Sequence, residues 1–168
     1  FQLSELVVVD PLEARRERAR KLGADAVLAP EELSGNRWNE AAGPDGADLI
    51  LELSGQPAAL QDALDVAGYD SRIVVGSWYG TKSPTLDLGG DFHRDRVSIE
   101  SSQVSTIDPE RRGRITFDRR TEMALENLET LPVSEFITHR IPFEDAPDAY
   151  RLLDEKPETA LQVLLTYT

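Results

Sequence analysis

Residues 5–23 read ELVVVDPLEARRERARKLG, and the type of fold can be predicted from their pattern. Their unbroken apolar run, residues 6–9, is typical of a short parallel strand that is buried on both faces. Asp10 and Pro11 follow, and apolar residues then recur at helical spacing up to Gly23. Asp10 suits the N-cap, Pro11 the first helical position and Gly23 the C-terminal stop. A strand that passes directly into a helix predicts one βα unit of a parallel sheet.

The same alternation of short apolar runs and helical patterns continues along the chain. Further strands are predicted at residues 26–29, 48–53, 72–76, 96–103 and 161–167, and helices at 57–67, 121–131 and 143–153. Gly68 is expected to end the helix that begins at Pro57, residues 30–47 predict at most a weak helix, and residues 108–120 predict a charged loop. Strands of this length alternating with helices predict an α/β fold with a doubly wound parallel sheet.

Composition and charge exclude several classes of protein. The 168 residues carry 31 acidic and 18 basic side chains, a net charge of −13. Such a chain would be repelled by nucleic acid and by an anionic membrane surface, so we expect neither as a partner. No apolar run approaches the roughly 20 residues that span a bilayer. Cysteine is absent, which excludes disulfides and thiolate zinc sites, while 40% hydrophobic residues suffice for a packed core.

The basic residues are unevenly divided, because lysine occurs only at Lys21, Lys82 and Lys156 against fifteen arginines. One interpretation is acidic drift together with a codon bias that favours arginine. The other is halophilic adaptation to a cytoplasm rich in salt, where dense carboxylates keep a surface hydrated and salt screens their repulsion. We adopt the second as a hypothesis, and with it a cytoplasmic location.

Asp10 is the most informative candidate site residue. Ligands of doubly wound sheets bind beyond the carboxyl ends of the strands, where Asp10 and residues 54–55, 76–77 and 101–103 are predicted to lie. A carboxylate at the end of the second strand of a dinucleotide fold accepts hydrogen bonds from both ribose hydroxyls and repels a 2′-phosphate, which favours NAD over NADP. The alternative, that Asp10 only caps its helix, is compatible with this role. Arg15, one turn further on, either reaches the ribose or a phosphate or is solvated.

Other signatures of catalysis or phosphate binding are missing from the sequence. No G-x-G-x-x-G and no G-x-S-x-G occurs, and His93 and His139 lack a third ligand for zinc. Because only nine residues precede Asp10, we expect the sheet to be truncated at its N-terminus. In the strand order 3-2-1-4-5-6, the strands at 6–9 and 49–53 would then lie about two strand spacings apart, roughly 9–10 Å, without hydrogen bonds between them.

Several stretches in chain order resemble the zinc-containing medium-chain alcohol and polyol dehydrogenases. They are VVVDPLEARR (7–16) with KLGA (21–24), DLILELSG (48–55), RIVVG (72–76), SIESSQ (98–103), and ITHRIPFEDA (137–146) with AYRLL (149–153). The last is the most specific, because I-T-H-x-x-P-[FL]-E near the C-terminus is characteristic of that family. Residues 92–94 and 101–104 are most similar to the subgroup of threonine and bacteriochlorophyllide dehydrogenases.

The resemblance implies a Rossmann-like domain that binds NAD and assigns roles to particular residues. Asp10 matches the acid that binds the adenosine ribose, and Arg15 matches a basic residue near the adenosine. Ser54 and Gly55 match the turn under the nicotinamide-side ribose. The backbone contacts to the nicotinamide carboxamide match Val75, Gly76, Ser77, Ser101, Ser102 and Gln103. Gln162 stands where the family often has a basic residue that reaches the pyrophosphate.

The family's zinc ligands, proton-relay residues and glycine fingerprint all lie upstream of the part that this chain resembles. The resemblance therefore implies zinc only through residues outside this chain, and no catalytic or metal residue within it. It also implies an NAD-binding domain over residues 1–131 and a segment, 132–168, that would pack on a catalytic domain.

We therefore expect a fragment of an enzyme that transfers hydride between NAD and a small alcohol or polyol, inactive by itself. Its implied partners are the N-terminal catalytic half and a second copy of the subunit. The alternative is a non-catalytic nucleotide-binding or subunit-interaction module.

Overall fold

The computed structural model describes residues 4–34 and 36–167. The strands are β1 (Val7–Val9), β2 (Ala26–Leu28), β3 (Ala47–Glu52), β4 (Ala67–Val75), β5 (Ser98–Ser101), β6 (Ile137–Pro142) and β7 (Gln162–Thr166). The α-helices are α1 (Glu13–Lys21), α2 (Asn36–Ala42), α3 (Pro57–Asp65), α4 (Asp91–Arg94), α5 (Phe117–Thr130) and α6 (Ala146–Glu155). Short 3₁₀ turns cover Pro30–Glu32, Val133–Phe136, Phe143–Asp145 and Pro157–Thr159.

The chain divides into two compact units after Val104. The first holds β1 to β5 with α1 to α4, and the second holds β6 and β7 with α5 and α6. This division lies before residue 131, where we expect the NAD-binding domain to end and the segment that packs on a catalytic domain to begin. That expected boundary stays a prediction. No helix in the described part of the chain is long and apolar enough to cross a membrane.

Every strand pair among the described residues is parallel, which confirms the α/β fold class. In the first unit β1 pairs with β2, and a second sheet has the order β3-β4-β5. These orders match the segments 3-2 and 4-5-6 of a doubly wound sheet. Among the described residues β1 and β3 are not paired with each other, as expected. The width of the gap between them stays a prediction.

Side chains connect the two sheets of the first unit where hydrogen bonds do not. Trp38 of α2 packs with Leu28 of β2 and with Val66, and this cluster also takes in Val7 of β1 and Ile50 of β3. A second cluster lies under α3 and fixes the three-stranded sheet. Its buried members are Leu60, Ala63, Leu64, Ile73 and Val97.

The structure corrects the predicted boundary between α3 and β4. α3 ends at Asp65, and β4 begins at Ala67, so Gly68 lies within the strand and does not end the helix. The reason is a close backbone crossing, because a Cβ on Gly68 would collide with the carbonyl oxygen of Asp45. Glycine at this position therefore serves a contact between distant segments, whereas the sequence alone suggests a helix stop.

Two helix starts are also corrected. α1 begins at Glu13 with Leu12 as its N-cap, so Asp10 is not the cap, and its Oδ1 instead accepts the N–H of Leu12 at 2.8 Å. α5 begins at Phe117, where a loop was predicted, because the Thr116 hydroxyl oxygen accepts the Arg119 N–H at 3.1 Å and caps it.

The second unit contains a strand that the sequence analysis did not predict. β6 runs parallel to β7, so the segment ITHRIP forms an extended pair with the predicted C-terminal strand. α6 begins at Ala146, after a 3₁₀ turn that occupies the predicted first helical turn.

Candidate functional site

The predicted site residues other than Asp10 and Arg15 come together at one edge of the three-stranded sheet. They are Ser54, Gly55, Val75, Gly76, Ser77, Ser101, Ser102 and Gln103. The register pairs Glu52 with Val75 and Val75 with Ser101, which aligns the ends of β3, β4 and β5. The Gly76 N–H donates to the Glu52 carbonyl at 2.9 Å, and the Ser102 N–H to the Val75 carbonyl at 2.8 Å.

Two glycines let the loops at this edge lie close together. Gly55 has a φ of +65°, and a Cβ there would lie 3.2 Å from the Trp78 carbonyl oxygen. A Cβ on Gly76 would lie 2.7 Å from the end of the Leu53 side chain. A left-handed φ disfavours other residues at Gly55, and Gly76 keeps its strand end free of a side chain. Glycine at these two positions thus allows the turn after β3 to pack closely against the loop after β4.

Glu52 occupies the centre of this edge and was not singled out from the sequence. Its side chain is buried at 4% exposure. One carboxylate oxygen accepts the Ser54 N–H at 2.7 Å and the Ser54 hydroxyl, and the other accepts the Ser77 hydroxyl and the Tyr79 hydroxyl at 2.7 Å. Burial raises the pKa of Glu52, but the hydrogen bonds from Ser54, Ser77 and Tyr79 outweigh it and hold the pKa below its ordinary value.

Tyr79 and Lys82 complete the loop that follows β4. Burial, with the Glu52 carboxylate beside it, raises the pKa of Tyr79 to about 12. The Lys82 ammonium donates to the carbonyl oxygen of Gly55 at 3.0 Å, which ties this loop to the turn after β3. The sequence did contain one signal for Glu52, because a carboxylate within the apolar run LILEL is expected to be buried. A buried charge must have hydrogen-bond partners, which makes such a residue a candidate for the centre of a site. Nothing in the sequence marked Tyr79 or Lys82.

Asp10 and Arg15 form a second group, at the end of β1. The half-buried Asp10 uses Oδ1 for the turn into α1, and its Oδ2 lies 3.8 Å from Arg15 Nη1. Arg16, which the sequence analysis missed, donates from Nη1 to the Asp10 carbonyl oxygen at 2.6 Å. An acceptor oxygen beside a guanidinium suits a sugar diol next to a phosphate, so both the acid and the arginine stay candidates.

The described residues do not fit a zinc site. In residues 4–34 and 36–167, no three His, Cys, Asp or Glu side chains come together as a metal-binding group. His93 lies in α4 of the first unit and His139 in β6 of the second. The donor set does fit a dinucleotide, since it combines a carboxylate for a diol at β1 with glycine-lined backbone at the ends of β3 and β4.

Parallel strands in these orders, with helices between them and polar groups at their carboxyl ends, define a Rossmann-like α/β domain. Comparison with known proteins identifies the family. The family model of the zinc-binding dehydrogenases matches residues 2–117, and the chain belongs to that family.

Curated relatives from this family share about a quarter to a third of the aligned residues. D-guloside 3-dehydrogenase of Escherichia coli (strain K12) is 28% identical over 168 residues, covering 98% of this chain and 48% of the relative. L-threonine 3-dehydrogenase of Aeromonas hydrophila is 30% identical over 142 residues, covering 83% of this chain and 38% of the relative. The chain therefore spans less than half the length of these relatives.

Solved structures show the same fold. Alcohol dehydrogenase TADH from Thermus sp. ATN1 superposes with a TM-score of 0.76 at 25% identity, covering 98% of this chain and 44% of that one. The rspB dehydrogenase from Escherichia coli CFT073, solved with NADH, gives a TM-score of 0.75 at 21% identity, covering 98% of this chain and 45% of that one.

Proposed function

We propose that this chain is the cofactor-binding part of an NAD-dependent, zinc-type dehydrogenase that transfers hydride between nicotinamide and a small alcohol or polyol. The observation that carries the proposal is the convergence of the loops after β3, β4 and β5 at one glycine-lined edge. Family membership and the NADH in one structural neighbour support NAD(H) as the cofactor.

In this proposal the two groups of residues bind the two ends of the dinucleotide. Asp10 and Arg15 bind the adenosine ribose, and the carboxylate disfavours a 2′-phosphate. Ser54 and Gly55 support the second ribose, while residues 75–77 and 101–103 orient the nicotinamide through their backbone. The cofactor supplies the hydride chemistry, and these residues hold it in place. We place the zinc ligands and the substrate pocket outside these 168 residues.

The same proposal covers the arrangement of the whole enzyme. We propose that a strand from the N-terminal half lies between β1 and β3, and that residues 132–168 pack on the catalytic domain while residues 1–131 bind the cofactor. We further propose that the enzyme works in the cytoplasm of a halophilic cell, on the basis of 31 acidic residues against three lysines. We also propose that it forms a homo-oligomer, as the resemblance to the family implies.

A second candidate, a subunit-interaction module without catalysis, is favoured by the exposed side chains of β3. Leu49 and Leu51 are 43% and 59% exposed, and Leu53, just beyond the strand, is 70% exposed. A contiguous apolar surface of this kind marks a site that another segment covers. In the enzyme the N-terminal half would cover these side chains, and in the module a separate subunit would cover them.

The test is a titration of NADH into the chain, followed by nicotinamide fluorescence. We expect Asp10→Asn to weaken binding, because the neutral amide loses the charge-assisted bonds to the ribose. Asp154→Asn, an exposed carboxylate on α6, is the matched control and should bind as the unsubstituted chain does. Equal binding by all three proteins would refute the role of Asp10, and no binding by any would favour the module.

A further inference from the structure

The Glu52 carboxylate is the acceptor in each of its hydrogen bonds described above. An ionised carboxylate carries no proton, so each of its partners must donate. The hydroxyls of Ser54 and Ser77 therefore point their protons inward at Glu52, and Tyr79 does the same. None of the ion pairs among the described residues involves Glu52, so hydroxyls and one backbone N–H hold this buried charge without a cation.

The inward direction of these protons leaves oxygen lone pairs on the outer side. The Ser54 oxygen already accepts the Gln56 N–H at 3.1 Å, which shows that it acts as an acceptor in the turn after β3. The half-buried Ser77 stands at the exposed end of β4, beside Gly76. The remaining lone pairs of these two hydroxyls can accept from N–H and O–H groups of a ligand.

The same carboxylate fixes the relative position of the two loops. Its two oxygens hold the loop after β3 through Ser54 and the loop after β4 through Ser77 and Tyr79. Lys82 adds a second tie, from its ammonium to Gly55 and to Gln56 Oε1 at 3.4 Å. Because both loops belong to the proposed nicotinamide end, the position of that end depends on Glu52.

We propose that Glu52 is a positioning residue, which holds the Ser54 and Ser77 hydroxyls as acceptors for the donor groups of the nicotinamide riboside: its carboxamide N–H or its ribose hydroxyls. This inference rests on the proposed function. Glu52 does not contact the ligand in this scheme, since its oxygens are occupied by the protein. A glutamine at this position would present an N–H₂ group to the serine hydroxyls. One hydroxyl would then have to rotate, so that its oxygen accepts from the amide and its proton points away.

The first test measures amide hydrogen exchange in the chain without ligand. In Glu52→Gln the Ser54 and Gln56 amides should lose protection, because they bond to the Glu52 carboxylate and to the hydroxyl that it orients. The Gly76 and Ser102 amides bond to backbone carbonyls and should keep theirs, which distinguishes local loosening from unfolding. Glu129→Gln, an exposed carboxylate of α5, is the control. Unchanged exchange at Ser54 and Gln56 would overturn the positioning role.

The second test measures binding with Ser77→Ala, which keeps the carboxylate and serves if Glu52→Gln does not fold. The variant should bind NADH about tenfold more weakly, the effect of one hydrogen bond. The reduced 3-acetylpyridine analogue of NADH has no carboxamide N–H. A loss confined to NADH identifies the carboxamide as the donor, and an equal loss for both ligands identifies the ribose.

Two outcomes would overturn the acceptor role of the serines. One is full affinity of Ser77→Ala for both ligands. The other is no NADH binding by the unsubstituted chain, which would refute the proposed function as well. In that case the exchange experiment still decides whether Glu52 positions the two loops.

Discussion

Replacing Gly46 by alanine tests whether the backbone crossing before β3 sets the geometry of the three-stranded sheet. Gly46 has a φ of +79°, and a Cβ there would lie 2.6 Å from the Gly68 nitrogen and 2.9 Å from the Ala67 carbonyl carbon. These are backbone atoms of β4 and cannot rotate away. Gly43, in the same loop, also has a φ of +79°, but a Cβ there would point into open space, with nothing within 4 Å.

Alanine at Gly43 therefore introduces backbone strain alone, whereas alanine at Gly46 introduces the same strain together with a steric collision. A left-handed conformation costs a residue with a Cβ about 1–2 kcal/mol, so Gly43→Ala should lower the free energy of unfolding by that amount. Forcing a methyl group into a closed contact costs about 1–3 kcal/mol more, so Gly46→Ala should lose about 2–5 kcal/mol in total. Small domains are stable by about 5–15 kcal/mol, so the difference is measurable.

The assay is urea unfolding of the chain, followed by far-ultraviolet circular dichroism. The slope against urea must be the same for both variants, so that the midpoints report stability alone. If Gly43→Ala and Gly46→Ala lower the free energy of unfolding equally, the predicted steric collision at Gly46 is refuted. If Gly43→Ala does not lower it, the predicted cost of the left-handed backbone is refuted.

Four further outcomes are expected. The intact enzyme should prefer NAD to NADP by about 1–3 kcal/mol, about 5- to 150-fold in kcat/KM, because Asp10 binds the ribose diol; equal use of both cofactors would contradict this. The melting midpoint of the chain should rise as KCl increases from dilute to molar concentrations, since screening relieves repulsion within a net charge of −13; a flat or falling midpoint would remove the halophilic interpretation. The chain alone should show no alcohol dehydrogenase turnover with or without added zinc, and tight stoichiometric zinc binding would oppose that expectation. Because the pKa of Glu52 is depressed in the folded state, its stabilising effect is present above the unfolded pKa and is lost as the pH falls through the folded one. In acid titrations of unfolding, the difference in stability between the unsubstituted chain and Glu52→Gln should therefore shrink as the pH falls below the ordinary glutamate pKa of about 4.3.

The sheet could be predicted because its strands are short apolar runs that end in polar or small residues. The run before Asp10 and the run LILEL before Ser54 each identify a strand and the position of its carboxyl end. Since carboxyl ends of paired parallel strands meet, the sequence also predicts which loops come together. The cofactor roles of those loops stay proposals.

The features that were missed depend on contacts between distant segments. Gly68 is read as a helix stop unless its crossing with Asp45 is known. The partners of Glu52 include Ser77 and Tyr79, which lie in a loop beyond the next helix and strand. The ITHRIP segment becomes a strand only beside β7. Local pattern carries no information about such pairings.

The separation of the first unit into two sheets affects the order in which that unit loses structure. β1 and β2 have three residues each, α1 has no buried residue, and among the described residues side chains around Trp38 join this layer to β3. β1 and α1 hold no buried residue, whereas β2 carries the buried Val27 and Leu28. Elements without buried residues open locally at low free-energy cost, so β1 and α1 are expected to open before β2. A dinucleotide that contacted both Asp10 and the edge around Glu52 would link the sheet of β1 and β2 to the three-stranded sheet when it binds. Part of its binding free energy would then appear as added resistance of β1 and α1 to local unfolding.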